Sequence, residues 1–389
     1  MSLQFNVLIV GGGVVGLTAA LAMAQRGYSV AVIDAGSLTA DCAKPDVRVY
    51  AINHASQELL HQLNVWQHVQ NSRLSPYRRM YVWDAESKAH IDFDSCFVGA
   101  KNLGSIIEES VLKHALLQQV SAQPSIHLFP NHCVDEVFCE EWGVKVCSNQ
   151  QTWEGHLLMI ADGANSPVRQ KLKVPLTSWS YDQHALVATV SVEKAHQGTA
   201  YQVFRADGPL AFLPLADAHQ CSIVWSTTPE QVKKLMNFSE QEFNDSLSKA
   251  FANKLGKVEL QSPRHYFPLQ MRHVKHYAGN RWLLLGDAAH TIHPLAGLGL
   301  NLGLADIRSW IQCLDTAHDR LVSPKALGAY QRARKNEVWQ IILLMEGFKR
   351  LFSNSFMPIV GLRGLGLTLC NRFTPIKRLF IEHAQGMSQ

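Results

Sequence analysis

Apolar residues fall into two textures along the chain. Short unbroken runs closed by glycine or polar turns come first: "FNVLIV" (5–10), "SVAVIDA" (29–35) and the start of "HLLMIADGANSPVR" (156–169). The run "RWLLLGDAAH" (281–290) returns to that texture late in the chain. Such runs predict strands buried on both faces. Between the first two, "LTAALAMAQRG" (17–27) has helical composition and a glycine stop at Gly27. "SIIEESVLKHALLQQV" (105–120) predicts an amphipathic helix. From about 176 to 272 the pattern alternates instead, in "HALVATVSV", "YQVFRA", "LAFLPL" and "CSIVWST", which predict antiparallel strands. Beyond residue 290 the chain reads as mainly helical. The expectation is an α/β domain interrupted by a sheet-rich domain and closed by C-terminal helices.

Composition narrows this picture. With 389 residues, 47% apolar and 17% charged, the chain can bury a large core in two intertwined domains. A net charge of +4 is too small to imply nucleic-acid binding. The 8 cysteines form no C-x-x-C pair, which suits reduced cytosolic thiols better than a disulfide framework. "MSLQFNVLIVGGG" lacks a basic leader and reads as a strand. No run of 18 apolar residues is present to span a membrane.

Three glycine-bearing turns carry the candidate chemistry. In "GGGVVG", Gly11, Gly13 and Gly16 stand in G-x-G-x-x-G register after a strand. Gly11 permits the tight turn, Gly13 lets backbone approach a pyrophosphate, and Gly16 lets the helix pack on the strand. Asp34 ends the second strand, where a carboxylate can accept ribose hydroxyls. The second turn, "IADGANSPVR", holds Asp162 and Gly163 and could by itself be an ordinary turn. The third is "GDAAHTIHPLAGLGLNLG", residues 286–303. Asp287, His290 and His293 offer metal-ligand types at intervals of three. Pro294 and the glycines that follow argue against a shared helical face, and no metal is expected. The other reading uses the whole stretch: Asp287 accepts sugar-like hydroxyls, and Gly297 and Gly299 leave N–H groups bare ahead of a helix that favours negative charge. The nucleotide-binding half is assigned to 1–70, 101–175 and 273–340. The substrate half takes 71–100 and 176–272, and 341–389 forms a C-terminal helical segment.

Together the three turns resemble those of the FAD-dependent aromatic hydroxylases of the para-hydroxybenzoate hydroxylase fold. "PDVRVYAIN" (45–53), "ADGANS", "AFLPL" (211–215) and "HPLAG" through Asp306 narrow the resemblance to the ubiquinone-biosynthesis hydroxylases. "HALVAT", "CSIVWS" and "HTIHPLAG" look most like the VisC-like branch, which acts at ring carbon C5. The resemblance implies a Rossmann-like FAD-binding domain interleaved with a mainly antiparallel β-sheet substrate domain. It implies an aromatic-ring monooxygenase that hydroxylates a polyprenylphenol by way of a C4a-hydroperoxyflavin, with O₂ as co-substrate and NAD(P)H or another reductant as transient donor. Carried onto this chain, Gly11, Gly13, Gly16 and Asp34 hold the ADP half of FAD, and Arg48 lies near the pyrophosphate and the flavin's approach. Glu108 stands against the ribityl chain, Asp162 and Gly163 form the second turn, and Gly286 and Asp287 serve the ribityl hydroxyls. Gly297, Gly299, Leu300 and Asn301 direct backbone N–H groups to the flavin's pyrimidine edge. His290, His293 and Pro294 border the ring where substrate reacts.

One departure from the family is Leu298, where the turn usually has Gln. A site at ring carbon C1 or C6, a broad-specificity enzyme, or a flavin-bound subunit without turnover remain alternatives. "GLRGLGL" (361–367) is expected to be a kink or close-packing segment, not a second nucleotide loop. The 341–389 stretch mixes Lys349, Arg350, Arg363, Arg372, Lys377 and Arg378 with Leu, Phe and Ile, the composition of a segment lying on an anionic membrane. Expected partners are therefore a polyprenylated phenol, the cytoplasmic face of a bacterial-type inner membrane, a second copy, and other ubiquinone-biosynthesis proteins.

Overall fold

Val7–Val10, Val30–Ile33, Ile126–Phe129 and Leu157–Ile160 lie side by side as parallel strands, with Trp282–Leu284 added parallel to the last and Ala278–Gly279 antiparallel at the edge. Three of these runs are buried at every position, as a sheet covered on both faces requires. The computed structural model describes residues 2–42, 45–149, 151–293, 297–318, 320–354 and 356–386. The first helix, Val14–Gln25, begins three residues earlier than composition suggests, because Gly13 is its N-cap and Gly16 lies inside its first turn. Gly27 takes φ +82°, which ends the helix in a conformation that glycine adopts freely.

The predicted helix over 105–120 is two elements. Gly104–Glu108 is a fully buried strand, and the helix runs Glu109–Ser121. Ser105, Ile106 and Ile107 pair antiparallel with Val49–Ile52 on one side and Leu74–Tyr77 on the other. β-Branched residues with partners on both edges override the local helical pattern.

Among the described residues, nine strands form the largest sheet. It is built from residues 79–94, 176–274 and 290–291 and is antiparallel except where Thr199–Phe204 meets Arg79–Asp84. Leu74–Tyr77 stays with the three-stranded sheet instead. The long strand Leu176–Val192 breaks register between Ser180 and His184, with Asp182 at φ +52°. The helices Pro229–Asn237 and Glu240–Ala250 cover one face, packing Leu235, Phe243 and Leu247 against Leu186, Phe212 and Trp225.

Helices Pro324–Phe352, Met357–Arg372 and Thr374–Ala384 close the chain. "GLRGLGL" continues one helix without a break. Its Gly364 is a close contact: a Cβ there would stand 2.8 Å from Ser87 Cβ. One residue before it, the buried Arg363 grips both oxygens of Asp84 at 3.0 and 2.9 Å and donates to the carbonyls of Leu351, Phe352 and Asn354. No helix among the described residues is long and apolar enough to cross a membrane.

Candidate functional site

The first turn is shaped by backbone contact. Gly11 has φ +107°, and a Cβ on it would lie 2.2 Å from the Ala161 carbonyl oxygen in the second turn. A Cβ on Gly16 would lie 1.8 Å from the Gly11 carbonyl oxygen. Gly13 differs: nothing stands within 4 Å of its Cβ position, and no side chain caps the helix there. The N–H groups of that helix terminus face open space, a ready site for an anion. Asp34 accepts from the Gly12 amide at 2.5 Å and the Gly36 amide at 2.6 Å, so its carboxylate also shapes the loop.

The second turn is tied to the third. Arg169 donates to the carbonyls of Ala288 at 2.8 Å and Ala164 at 2.9 Å. Gly163 takes φ +85°. Asp162 accepts from the Val168 amide at 3.1 Å through Oδ2, while Oδ1 is buried with no hydrogen-bond partner among the described residues. Burial raises its carboxyl pKa, against the hydrogen bonds that lower it.

In the third turn Gly286 has φ +56° and packs on Val15 of the first helix. Asp287 keeps solvent access, yet surrounding protein raises its pKa, opposed by the charges of His290 and Arg48. It therefore sits in a cleft and not on an open surface. Arg48 borders the same cleft, 3.1 Å from Glu109 and with its guanidinium 5.4 Å from the Tyr50 ring centroid. Gly297, at φ +64°, is the uncapped N-terminus of the helix Leu298–Thr316. Gly299 and Leu300 are thus in the first helical turn, not ahead of it, and their N–H groups lack intrahelical acceptors. Nothing stands within 4 Å of a Cβ on Gly299. Asn301 spends its side chain on stitching: it accepts from the Asn53 amide at 3.0 Å and donates to the Ala51 carbonyl at 2.7 Å. Leu298 is half-buried against the main core.

Other expected site residues are placed differently. Glu108 has both oxygens engaged by Arg73 and takes the Asp46 amide as well. The next residue, Glu109, opens the helix and pairs with Arg48 beside the Asp287 cleft, so Glu109 and not Glu108 faces it. His290 is buried, with Nε2 held 2.8 Å from Asp306 Oδ2. His293 is buried at the break in the long strand. Its ring meets Tyr181 edge-on at 5.0 Å and its Nε2 lies 3.1 Å from Gln183 Oε1. Gln183 Nε2 donates to the Asp207 carbonyl, which fixes the amide's orientation. His293 Nε2 therefore carries the proton and Nδ1, which has no partner among the described residues, is an acceptor. Burial, with the nearby Lys349 charge, pushes its pKa down to about 4. Pro294 lies outside the described residues. Sequence reasoning missed Tyr50, Glu109, Tyr181, Gln183 and Arg334; only Asp306 carried a signal, as the last residue of the third motif.

Two uncapped helix N-termini, glycines open to a close approach, the half-satisfied Asp162 and the cleft carboxylate of Asp287 suit a pyrophosphate flanked by a hydroxyl-rich chain and an anionic ring. Those are the parts of a flavin dinucleotide, and the residues fit FAD. The class defined by fold and site is the FAD-dependent monooxygenase. Residues 4–344 match the FAD binding domain family, and the chain belongs to it. Within that family it is a ubiquinone-biosynthesis hydroxylase by relationship. It is 36% identical to the 3-demethoxyubiquinol 3-hydroxylase of Escherichia coli (strain K12), with 98% of each chain covered. It is 33% identical to the mitochondrial ubiquinone biosynthesis monooxygenase COQ6 of Drosophila melanogaster, covering 98% of this chain and 90% of that one. The p-nitrophenol 4-monooxygenase of Pseudomonas putida DLL-E4 shares the fold, with TM-score 0.81, 17% identity and 100% of both chains covered.

Proposed function

We propose that this chain adds a hydroxyl group to the aromatic ring of a polyprenylated phenol intermediate of ubiquinone, at C5. The observation that carries the reading is the gathering of three glycine turns at one cleft in a chain related along 98% of its length to hydroxylases of that pathway. When bound, FAD takes electrons from NAD(P)H or another donor and activates O₂, so that one oxygen enters the ring and the other leaves as water. The protein's part is to bind, orient and exclude water. The N–H groups at Gly13 hold the pyrophosphate, with Gly11, Gly16 and Asp34 shaping the turn. Asp162 and Asp287 accept hydroxyls along the ribityl side, and the N–H groups of Gly299 and Leu300 stabilise negative charge on the ring edge, while the Asn301 N–H closes the first helical turn on the Gly297 carbonyl. Burial pushes the His293 pKa down to about 4, which makes it a poor base toward a phenol and suits a hydrogen-bonding role in ordering the site.

A second reading moves the hydroxyl to the carbon named for the Escherichia coli relative, and the 36% identity to that enzyme favours it. Membrane contact belongs to the same proposal. Leu362, Leu365 and Leu379 are 70%, 57% and 66% exposed on the C-terminal helices, beside the exposed Arg350, Arg372 and Arg378. Self-association, or docking to other ubiquinone-biosynthesis proteins, would use this face as well.

Mass spectrometry of quinone lipids in cells lacking the gene, with and without rescue, tests the function. A polyprenylphenol short of its first ring hydroxyl supports C5, whereas a demethoxyquinol supports the second reading. An unchanged profile in cells with no sister hydroxylase refutes both.

A further inference from the structure

We infer that Asp306 and Arg334 are positioning residues for the flavin, a buried ion pair that fixes the turn presenting Asp287. The inference rests on FAD occupying the three glycine turns and not on which ring carbon is hydroxylated.

Asp306 is on the helix Leu298–Thr316 and is 0% exposed. Its Oδ2 takes the Gly286 amide at 2.7 Å and His290 Nε2 at 2.8 Å. Its Oδ1 takes Arg334 Nε at 2.6 Å, and Arg334 is itself 1% exposed on the helix Pro324–Phe352. Gly286 and His290 flank Asp287 on either side. One carboxylate thus holds both shoulders of the turn, and the residue between them is the one left facing the cleft.

The same helix crowds the turn from below. A Cβ on Gly303 would lie 2.8 Å from Val15 Cγ2 and 3.2 Å from Gly286 Cα, so helix and turn meet backbone to backbone. Arg334 also reaches the Leu302 carbonyl at 3.3 Å and Glu337 at 2.5 Å, while Tyr330 donates to the Leu284 carbonyl at 2.7 Å. The turn is therefore hung between two helices by directional bonds. An apolar side chain at 306 could fill the volume but could not fix the angle of Gly286 and His290. A fully buried ion pair is a weak source of stability, and its value lies in the geometry it specifies. His290 then acts through its bond to Asp306, as part of the mount for Asp287.

The test strips the purified full-length chain of FAD and titrates the cofactor back, following flavin fluorescence, visible circular dichroism of the bound flavin, and melting temperature. Asp306→Asn is expected to weaken FAD binding by about tenfold or more, the scale on which outer-shell partners of a bound group act, and to alter the flavin's visible dichroism. Arg334→Lys keeps the charge but loses the planar fork, and should show the same dichroism change with a smaller loss; it decides the matter if Asp306→Asn does not fold. Ile307→Ala, a core change on the same helix, lowers the melting temperature but should leave FAD affinity within about twofold. The inference is overturned if both ion-pair variants bind FAD with wild-type affinity and dichroism, or if their losses only track stability as in Ile307→Ala. A wild-type chain that binds no FAD instead overturns the reading beneath it.

Discussion

Replacing Gly13 by alanine adds one methyl group where the first helix ends in open space. Its backbone, at φ −74° and ψ −177°, is extended and suits any residue. No atom stands within 4 Å of the new Cβ, so the chain without cofactor should fold unchanged. Alanine is a poorer N-cap than glycine by about 0.5–1 kcal/mol, which lowers the melting temperature of a chain this size by about 2 °C. With FAD seated as proposed, the same methyl would stand between the helix N–H groups and the phosphate oxygens. Losing one hydrogen bond to a charged oxygen costs about 1.5–3 kcal/mol, a factor of roughly 10–150 in Kd. Gly16→Ala is the contrast. Its Cβ would sit 1.8 Å from the Gly11 carbonyl oxygen, so backbone must move and stability falls by about 1–3 kcal/mol even without FAD. Thermal melting of the stripped protein and fluorescence titration with FAD separate the two. If Gly13→Ala bound FAD within about threefold of wild type, the pyrophosphate would not lie against this terminus and the reasoning would fail.

Three further outcomes are expected. Arg363→Ala leaves Asp84 buried without its partner and should cost about 3–5 kcal/mol, read as a lower melting temperature and faster proteolysis within residues 353–386; equal stability would show that the pair is dispensable. His293 and His273 each have a pKa pushed down to about 4 by burial, so the unfolded chain binds protons more readily than the folded one. Stability is then complete above about pH 6.5 and drains as pH falls toward 4, by roughly 2–3 kcal/mol for each histidine, and a His273→Gln/His293→Gln variant should flatten melting temperature across that window. Leu362→Glu with Leu365→Glu should leave melting within about 2 °C but reduce co-sedimentation with anionic vesicles several-fold; wild-type sedimentation by the double variant would remove the lipid contact from this face.

Local pattern revealed the parts of the structure that depend on local chemistry. Buried runs such as "FNVLIV" and the glycine triplet at 11, 13 and 16 could be read directly, because strand burial and close backbone approach restrict the residue types themselves. The alternation across 184–227 likewise announced an antiparallel sheet. The failures share a cause. Strand Gly104–Glu108 runs into helix without a turn residue, so only its two strand partners separate them. Glu108 looked like a cofactor contact until Arg73, 35 positions away, claimed it. His290 looked flavin-facing, yet Asp306 holds its ring inside the core. Partners chosen across long stretches of chain leave no trace in a local window. The side-chain wiring of the site was therefore hidden even where its backbone was plain.

Asn53 Nδ2 donates to the Ala384 carbonyl at 3.1 Å, and the Ala55 amide donates to the Gln385 carbonyl at 3.1 Å. These bonds fasten the far end of the described chain to residues just beyond the strand that carries Tyr50 and follows Arg48. For a chain made in order from its N-terminus, that wall of the cleft, already paired with Gly104–Glu108 and stitched by Asn301, gains these last fastenings only when residue 385 has left the ribosome. The glycine turn at 11–16 can be in place long before, with one flank of its cofactor seat not yet fully tied down. A chain stalled before residue 385 would therefore present its flavin cleft with these two fastenings still unmade.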